Sequence, residues 1–250
     1  SITDLPIAVH CEDENMIRKN LAEQIAKYGG DIPIEKHPEI RSKVACYRSS
    51  SRAIQLARAT GARLHVFHLS TAIETELFSN EEPLTEKKIT AEVCVHHLWF
   101  SEEDYSQKGN LIKWNPAIKK VSDREALWKA LNEDKIDVLA TDHAPHTLEE
   151  KQNSYTNSPS GGPLVQHAYP ALLTAVIQGR TTIEKLVEKA CHNPAILFKI
   201  QNRGFIREGF FADLVLVDMN KKFTVVKEDL LYQCKWSPFE GSTFEASIIK

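Results

Sequence analysis

The sequence predicts an α/β fold in which parallel strands alternate with helices. Short apolar runs rich in Val, Ile and Phe recur along the chain, and their length favours strands over helices. Amphipathic stretches that end at glycines lie between these runs. Because strand–helix–strand order implies parallel strands joined by right-handed crossovers, two architectures fit: a doubly wound sheet and a (β/α)₈ barrel.

Four short runs are the predicted strands. They are residues 6–11 (PIAVHC), 63–70 (RLHVFHLS), 89–98 (ITAEVCVHHL) and 136–141 (IDVLAT). In both architectures the chemistry gathers at the C-terminal ends of the strands. The last residues of each run are therefore the first place to look for a functional site.

The stretches between these runs predict helices. Residues 14–29 carry Ile and Leu at four-residue spacing before a glycine pair, and residues 48–61 end at Gly61 in the same way. A Ser or Thr followed three residues later by Glu has the capping-box spacing that marks a helix start. That spacing occurs at Thr71–Glu74, Ser122–Glu125 and Thr181–Glu184.

The pattern changes near residue 204. Residues 204–218 (GFIREGFFADLVLVD) combine glycines with alternating Leu and Val, and KKFTVVKEDL follows. This composition is typical of short antiparallel strands. We therefore expect two parts: a partial hydrolase barrel over residues 1–203, and part of a small β-sandwich-like domain over residues 204–250.

The composition is that of an ordinary globular chain. Of its 250 residues, 42% are hydrophobic and 26% are charged, and the formal net charge is −3. The charge gives no basic footprint for nucleic acid, and no apolar run is long enough to span a bilayer. The five cysteines include no C-x-x-C pair, which favours a reducing, cytoplasmic setting.

Each predicted strand ends in a histidine or a carboxylate. The segments are His10–Cys11–Glu12–Asp13, His68–Leu69–Ser70, His96–His97 and Asp142–His143–Ala144–Pro145–His146. One such histidine alone is more often structural, but recurrence at four strand ends favours a site. Of His65 and His68, one is expected to face a helix or solvent. His96 and His97 are predicted to point to opposite faces of one strand, so at most one lines the site.

His10, His68 and Asp142 form the candidate metal site. Neutral imidazole plus carboxylate is the ligand set of Zn²⁺ hydrolases. Asp142 is also the candidate proton carrier. A carboxylate beside a metal-bound water can accept its proton and pass it to a leaving nitrogen.

Two further polar residues are candidates for substrate binding. Asn115 precedes Pro116, which restricts the local backbone. A buried Asn there can donate to a carboxylate or an amide, although a simple turn before proline is an equally good interpretation. His146 lies four residues after Asp142, on the loop, where it could donate to an anionic substrate group.

Together these motifs resemble those of the dihydroorotases, in the cyclic-amidase branch of the amidohydrolase superfamily. The matching segments, in family order, are His10–Cys11–Glu12–Asp13, His68–Leu69–Ser70–Thr71, Glu92 with His96–His97–Leu98, Asn115–Pro116, and Thr141–Asp142–His143–Ala144–Pro145–His146 with Glu150–Lys151. Residues 193–198 (NPAILF), 209–218 and 236–241 (WSPFEG) resemble the last barrel helix, the return to a small β domain and the tail. TDHAPH is specific, because relatives acting on hydantoins, dihydropyrimidines or allantoin usually vary its last position.

The resemblance implies a (β/α)₈ barrel with one or two zinc ions. It implies reversible interconversion of dihydroorotate and N-carbamoyl-aspartate, a step of de novo pyrimidine biosynthesis. His10 and His68 would bind one metal ion, and Asp142 would bind the other and carry the proton.

The resemblance also implies how substrate is held. Asn115 and His146 would hold the substrate carboxylate, and the loop around Pro159, Gly161 and Gly162 would offer backbone groups to the ring. The expected partner is this small-molecule substrate, with no nucleic acid or membrane partner. We also expect a homo-oligomer.

The chain departs from the family pattern at its start. The family's H-x-H pair, the arginine after it and the bridging lysine or aspartate do not occur here, and only four of eight strands are predicted. We therefore expect the second half of a barrel, strands five to eight. We also expect residues 1–250 alone to be inactive and aggregation-prone, with the first four strands supplied by other polypeptide.

Two alternative functions stay open. One is a hydantoinase-like or allantoinase-like cyclic amidase, and the other is a non-catalytic dihydroorotase-like scaffold. Asn115 and His146, as polar partners for a carboxylate, favour dihydroorotase over the first. The presence of His10, His68 and Asp142 argues against the second, since scaffolds of this kind typically lose the metal ligands.

Overall fold

A four-stranded parallel sheet organises the chain. The computed structural model describes residues 4–249, and in this part the sheet order is β1–β2–β3–β4. The strands are Ile7–Val9 (β1), Leu64–Val66 (β2), Ile89–Cys94 (β3) and Val138–Ala140 (β4). In the register, Val9 lies opposite Val66 and Cys94 opposite Ala140. Each strand falls within one predicted run, so the predicted parallel α/β fold is confirmed.

Helices connect and cover the strands. The α-helices of the described chain are Glu14–Tyr28 (α1), His37–Ile40 (α2), Lys43–Thr60 (α3), Ala72–Thr75 (α4), Val95–Trp99 (α5), Tyr105–Lys108 (α6), Val121–Asn132 (α7), Leu148–Lys151 (α8), Val165–Ile177 (α9), Ile183–Val187 (α10) and Asn193–Leu197 (α11). Helix α3 packs on β2 and α4, while α5 packs on α7 and α9. Between residues 4 and 249, no helix combines the length and apolarity needed to cross a bilayer.

The two long predicted helices form, with one boundary moved. Helix α1 begins after Asp13, whose carboxylate accepts from the Met16 N–H at 3.1 Å. Helix α3 begins five residues earlier than predicted, because the Ser42 hydroxyl accepts from the Ala45 N–H at 3.3 Å and caps it there. It ends at Gly61, whose φ of +69° is a left-handed conformation that glycine adopts without strain.

One of the three predicted caps is confirmed and a second is wrong. The Thr71 hydroxyl accepts from the Glu74 N–H at 3.2 Å and donates to the Glu74 carboxylate at 2.8 Å. Ser122 does not cap α7, which begins one residue before it. There the Asp123 carboxylate accepts from the Lys120 N–H at 3.2 Å, so an acidic residue of the first turn satisfies the helix end.

The third predicted cap is displaced by one residue. Helix α10 is capped by Thr182, whose hydroxyl accepts from the Lys185 N–H at 3.2 Å. The Thr181 hydroxyl instead donates to the Asn132 side chain at 2.8 Å. A tertiary contact therefore engages the residue that the spacing selects.

The predicted strand 89–98 is too long. The strand ends at Cys94, and Val95–Trp99 forms α5, which brings His96 and His97 into one helix with ring centroids 4.1 Å apart. The prediction that these histidines point to opposite faces of a strand is therefore wrong. Packing of α5 fixes this conformation, since Trp128 on α7 donates to the Leu98 carbonyl at 3.0 Å.

Short antiparallel strands close the chain. Val217–Asp218 (β5) pairs with Ser247–Ile248 (β8), and Phe223–Thr224 (β6) pairs with Thr243–Phe244 (β7). Residues 214–216 are not a strand despite their alternation, and each is more than half exposed. The ladder with β8 begins only at Val217, and alternation predicts a strand only where a partner pairs with it. The boundary between residues 203 and 204 stays a prediction, and the outer limits of both parts lie outside the described residues.

Candidate active site

The chemistry-bearing residues lie at one edge of the sheet. His10 directly follows β1, His68 lies two residues after β2, and Asp142 lies two residues after β4. Glu92 belongs to β3 itself, opposite Val138 in the register. Because the strands are parallel, these positions share the C-terminal edge of the sheet.

His10 and His68 contact each other directly. His10 Nδ1 lies 3.0 Å from His68 Nε2, and the two rings meet edge to face. Burial, together with the nearby His10, lowers the pKa of His68 to about 4. His68 is therefore neutral near pH 7, which is the form of imidazole that binds metal ions.

A buried carboxylate holds the other side of His10. Glu12 Oε2 lies 3.0 Å from His10 Nε2, and the Arg41 guanidinium donates to the same oxygen. The Glu12 side chain is only 1% exposed. Burial opposes its charge, but the His10 hydrogen bond and Arg41 lower the pKa of Glu12, so it stays an anion. This contact sets the ring orientation of His10.

Glu92 lies on the strand between the candidate residues, although no role for it was predicted from the sequence. His65 Nε2 lies 3.2 Å from its carboxylate, and His65 Nδ1 lies 2.9 Å from the Thr90 hydroxyl. Of the two histidines His65 and His68, His65 is therefore the structural one. It is fully buried and bonds to two side chains of β3. The Glu92 charge adds to the burial that raises the pKa of Asp142, and it opposes the lowering of the His68 pKa by burial. The signal in the sequence is that Glu92 is a carboxylate within an otherwise uncharged strand.

Two of the predicted ligands have a left-handed backbone. The φ of His68 is +36° and that of Asp142 is +50°. Non-glycine residues adopt such angles at a cost of about 1–3 kcal/mol, and residues of this kind cluster at functional sites. Burial and the Glu92 charge raise the pKa of Asp142, while His10 lowers it.

The three predicted ligands do not all converge. Among residues 4–249, no group of three or more His, Cys, Asp or Glu side chains is arranged to hold a metal ion. His10 and His68 are brought together, while the hydrogen bonds and ion pairs of residues 4–249 do not join Asp142 to either of them. In the structure the facing nitrogens of the two histidines bond each other, and Glu12 holds the remaining nitrogen of His10.

The histidine pair nevertheless fits a zinc ion. Two nitrogens bound to one zinc at tetrahedral angles lie roughly 3.3 Å apart, given Zn–N bonds near 2.0–2.1 Å. The facing nitrogens of His10 and His68 are separated by 3.0 Å. Two imidazoles, one of them neutral through burial, are a suitable part of a zinc donor set, and a complete set needs further ligands.

His96 and His97 are buried beside Trp114 and Pro116. Within residues 4–249 neither ring nitrogen of His96 has a hydrogen-bond partner, and the ring stacks on Trp114 at a centroid distance of 4.5 Å. His97 Nε2 donates to the Pro116 carbonyl at 3.1 Å. Both are buried, and burial lowers the pKa of His97 to about 3. They therefore pack as neutral rings in the core.

The TDHAPH loop docks on the glycine loop that follows it. His143 Nδ1 accepts from the Leu164 N–H at 2.9 Å, and its ring stacks on Tyr232. The Ala144 N–H donates to the Gly162 carbonyl at 3.2 Å. His143 is thus a structural residue of this loop.

Hydrogen bonds through one serine link the residues that are predicted to bind substrate. The Ser160 hydroxyl donates to Asn115 Oδ1 at 2.9 Å, and His146 Nε2 donates to the Ser160 carbonyl at 3.1 Å. Pro159 and Gly161 flank Ser160. Asn115 and His146, which are far apart in sequence, therefore both bond to Ser160, which links them. Ser160 carried no distinguishing pattern in the sequence.

Comparison with known proteins places these features in a family context. Residues 2–248 match the model of the amidohydrolase family. The dihydroorotase of Carboxydothermus hydrogenoformans is 34% identical over 241 residues, which are 96% of this chain and 55% of that protein. The dihydroorotase of Pyrococcus furiosus is 36% identical over 216 residues, 86% of this chain and 49% of that protein. The chain spans about half the length of the curated relatives it matches.

Solved structures agree with the fold. L-hydantoinase (dihydropyrimidinase) from Arthrobacter aurescens superposes with a TM-score of 0.87 at 26% identity, over 97% of this chain and 54% of that one. Dihydroorotase from Saccharomyces cerevisiae, in complex with 5-fluoroorotic acid, gives a TM-score of 0.69 at 16% identity, over 82% and 56%. The second likeness concerns the fold alone. The α/β chain again corresponds to about half of each neighbour.

Proposed function

Since this chain belongs to the amidohydrolase family, we propose that it is the second half of a dihydroorotase barrel, strands five to eight. The proposed reaction is the zinc-dependent interconversion of dihydroorotate and N-carbamoyl-aspartate in pyrimidine biosynthesis. The observation that carries the proposal is the contact of His10 with His68, 3.0 Å apart at the strand edge that also ends in Asp142. The relatives named dihydroorotase support the choice of reaction.

His10 and His68 are the residues that would hold zinc. A bound zinc ion supplies a Lewis acid that polarises the amide carbonyl and makes water more acidic. Glu12 and Arg41 orient His10 for this task, and their buried contact fixes which nitrogen of His10 faces His68. The remaining ligands would come from the other half of the barrel.

Asp142 is the proposed proton carrier, as a carboxylate at the end of β4. Hydrolysis of a cyclic amide needs a base that takes a proton from the attacking water and an acid that gives it to the leaving nitrogen. Burial and Glu92 raise the pKa of Asp142, which makes its carboxylate a better proton acceptor. Whether Asp142 also binds a metal ion is part of the proposal.

Asn115 and His146 are the proposed partners of the substrate carboxylate. Ser160 accounts for Asn115 Oδ1, so the amide –NH₂ of Asn115 is the group that can donate to substrate. His146 is partly exposed and bonded to the Ser160 carbonyl. Backbone groups of the loop that includes Pro159 and Gly161 would contact the ring.

An exposed apolar surface supports the half-barrel interpretation. Ile206 is 89% exposed, and the neighbouring Phe211 and Leu214 line a cavity of about 800 Å³ together with residues of α10. Soluble proteins rarely leave apolar patches of this kind uncovered. We propose that polypeptide of the other half of the protein covers this surface, and that the complete enzyme is homo-oligomeric and cytoplasmic.

A hydantoinase-like activity is the second candidate. The observation that favours it is the likeness to the Arthrobacter aurescens L-hydantoinase, at 97% of this chain. Asn115 and His146 favour the carboxylate-bearing dihydroorotate, because hydantoin offers them no carboxylate. The third candidate is a non-catalytic scaffold.

A substrate panel separates the three candidates. The full-length protein, loaded with Zn²⁺, is assayed with dihydroorotate, hydantoin, dihydrouracil and allantoin. We expect dihydroorotate to have the highest kcat/KM. A preference for hydantoin or allantoin would support the second candidate, and no turnover of any of the four would support the scaffold.

A further inference from the structure

Two buried lysines lie beneath the substrate loop without a carboxylate partner. Lys151 is 1% exposed and Lys113 is 7% exposed. The ion pairs of residues 4–249 include neither of them. Of the other buried lysines of the described chain, Lys87 and Lys189 have carboxylate partners, Asp137 and Asp134, and Lys119 donates to the Ala117 carbonyl. A buried ammonium without an anion costs free energy unless its N–H groups are all satisfied, so both need an explanation.

Lys151 satisfies its three N–H donors with three backbone carbonyls. Its Nζ lies 2.8 Å from the Pro159 oxygen, 2.9 Å from the Gly161 oxygen and 3.3 Å from the Lys113 oxygen. The Gly161 N–H donates to the same Lys113 carbonyl at 2.9 Å. The ammonium thus joins both sides of Ser160 to the segment that leads into Asn115.

The segment that Lys151 holds is the one that contacts the proposed carboxylate partners. Ser160 lies between the two bonded carbonyls and contacts Asn115 and His146 at 2.9 and 3.1 Å. The space there is tight: a Cβ on Gly161, whose φ is +119°, would come within 2.5 Å of the Ala144 oxygen. A small shift of this segment would therefore move Ser160 relative to both partners.

We propose that Lys151 is a positioning residue for substrate, acting through Ser160 on Asn115 and His146. This proposal rests on the dihydroorotase function proposed above. Lys113 provides the comparison, because its Nζ donates to the Tyr155 and Ser158 carbonyls, which precede the segment that Lys151 holds. Both side chains stabilise the loop, but only the Lys151 ammonium bonds the residues on either side of Ser160, while Lys113 contacts Gly161 through its backbone carbonyl, which Lys113→Met keeps.

Lys151→Met in the full-length enzyme tests the proposal, with Lys113→Met as the matched control. Each variant removes a buried ammonium and keeps the apolar stem. Lys151→Met is expected to raise KM for dihydroorotate about tenfold or more with kcat within roughly threefold, because a hydrogen bond from a charged donor is lost and saturating substrate restores the loop. Lys113→Met is expected to lower Tm by about as much as Lys151→Met does, while its KM stays within roughly threefold of wild type.

Hydrogen exchange gives a second measurement that needs no activity. Lys151→Met is expected to increase amide exchange at residues 160–162, and Lys113→Met at residues 155–158. Should Lys151→Met fail to fold, Lys151→Gln retains two N–H donors and is expected to give a smaller increase at the same amides.

The outcomes separate the two proposals. Equal changes in KM and in exchange for the two lysine variants would overturn the positioning role, as would wild-type values for Lys151→Met. If the wild-type enzyme does not turn over dihydroorotate, the proposed function fails, and exchange at residues 160–162 still decides whether Lys151 holds this segment.

Discussion

At the scale of single residues, His68 and Asp142 are central to the proposed reaction. Both follow a strand by two residues and both have positive φ, so the backbone turns sharply where a ligand or a proton carrier is needed. In parallel α/β folds, functional residues gather at this end of the strands. The folded chain thus keeps two costly conformations at the proposed reaction centre.

The proposed carboxylate partners give the first prediction. His146→Ala and Asn115→Ala are expected to weaken dihydroorotate binding much more than binding of an analogue without the carboxylate. A charge-assisted hydrogen bond contributes about 1.5–3 kcal/mol, or roughly 10- to 150-fold in Kd. The measurement is calorimetric titration of both ligands with each variant. Equal losses for both ligands would mean that the residues shape the Ser160 loop and do not bind the carboxylate.

Single-residue chemistry was partly predictable from the sequence. The positions of His10, His68 and Asp142 after parallel strands were predictable, and their roles as ligands and proton carrier stay predictions. The partners of these residues could not be predicted. Arg41 meets Glu12, and Lys151 meets Pro159, only after helices and loops are placed, so no local spacing encodes those contacts.

At the scale of elements, helix starts show what local pattern determines. The same capping-box spacing is satisfied at Thr71 and not at Ser122. Thr71 follows a buried strand end and bonds Glu74, which burial keeps in contact with it. Ser122 is exposed, and Asp123 takes the capping role at that helix. The pattern identifies a helix near each pair, and the tertiary contacts select the residue that caps it.

These two positions give a matched prediction on stability. Thr71→Ala is expected to lower the free energy of unfolding by about 0.5–2 kcal/mol, because the Glu74 N–H loses its acceptor and the Glu74 carboxylate loses one of two hydroxyl donors, keeping Ser50. Ser122→Ala is expected to change it by less than about 0.5 kcal/mol, since the residue is exposed. Urea unfolding of the full-length protein measures both. Equal losses would show that Ser122 caps α7 in solution.

Helix α9 gives a prediction on pH. Burial lowers the pKa of His167 to about 4, against an ordinary value of 6.5, while its Nδ1 lies 3.0 Å from the Ser237 hydroxyl. The unfolded chain therefore binds more protons between about pH 4 and 6.5, and the fold loses stability as pH falls through that window. His167→Gln is expected to reduce the slope of unfolding free energy against pH by up to about 1.4 kcal/mol per unit.

Urea titrations between pH 7 and pH 4.5 measure this slope. Lower stability of His167→Gln at every pH is compatible with the account, because a packed ring is lost. An unchanged slope would contradict it, since the neutral buried His167 would then make no contribution to proton uptake on unfolding.

At the scale of the whole molecule, the sheet has two outer strands. In the described chain β1 and β4 lie at the ends of the sheet order, and Ile7 of β1 is 54% exposed. The alternation of strands and helices predicted this sheet from the sequence. Exposed surfaces such as the one at Ile206 were not predictable, because a sequence pattern marks apolar residues without showing which partner covers them.

The sheet ends lead to a prediction on the isolated segment. Expressed alone, residues 1–250 are expected to self-associate and to show no dihydroorotate hydrolysis with added Zn²⁺. Unpaired strand edges promote association, and two histidines are too few for tight zinc binding. Size-exclusion chromatography and an activity assay measure both. A soluble, monomeric and active product would contradict the half-barrel proposal.

The proposal that Asp142 carries the proton is tested most directly by Asp142→Asn in the full-length, zinc-loaded enzyme. The measurement is kcat for dihydroorotate. Asn tolerates a positive φ as well as Asp does, so the fold should be kept, but the amide cannot carry the proton. Asp134→Asn is the control, because Asp134 also has a positive φ, of +63°, and precedes β4, away from its C-terminal end. It removes the ion pairs with Lys185 and Lys189, so it is expected to lower Tm without changing the proposed proton transfer. We predict that Asp142→Asn lowers kcat by about 10²–10⁴-fold while Asp134→Asn leaves it near wild type. A near-normal kcat for Asp142→Asn would show that another group carries the proton and would contradict the account.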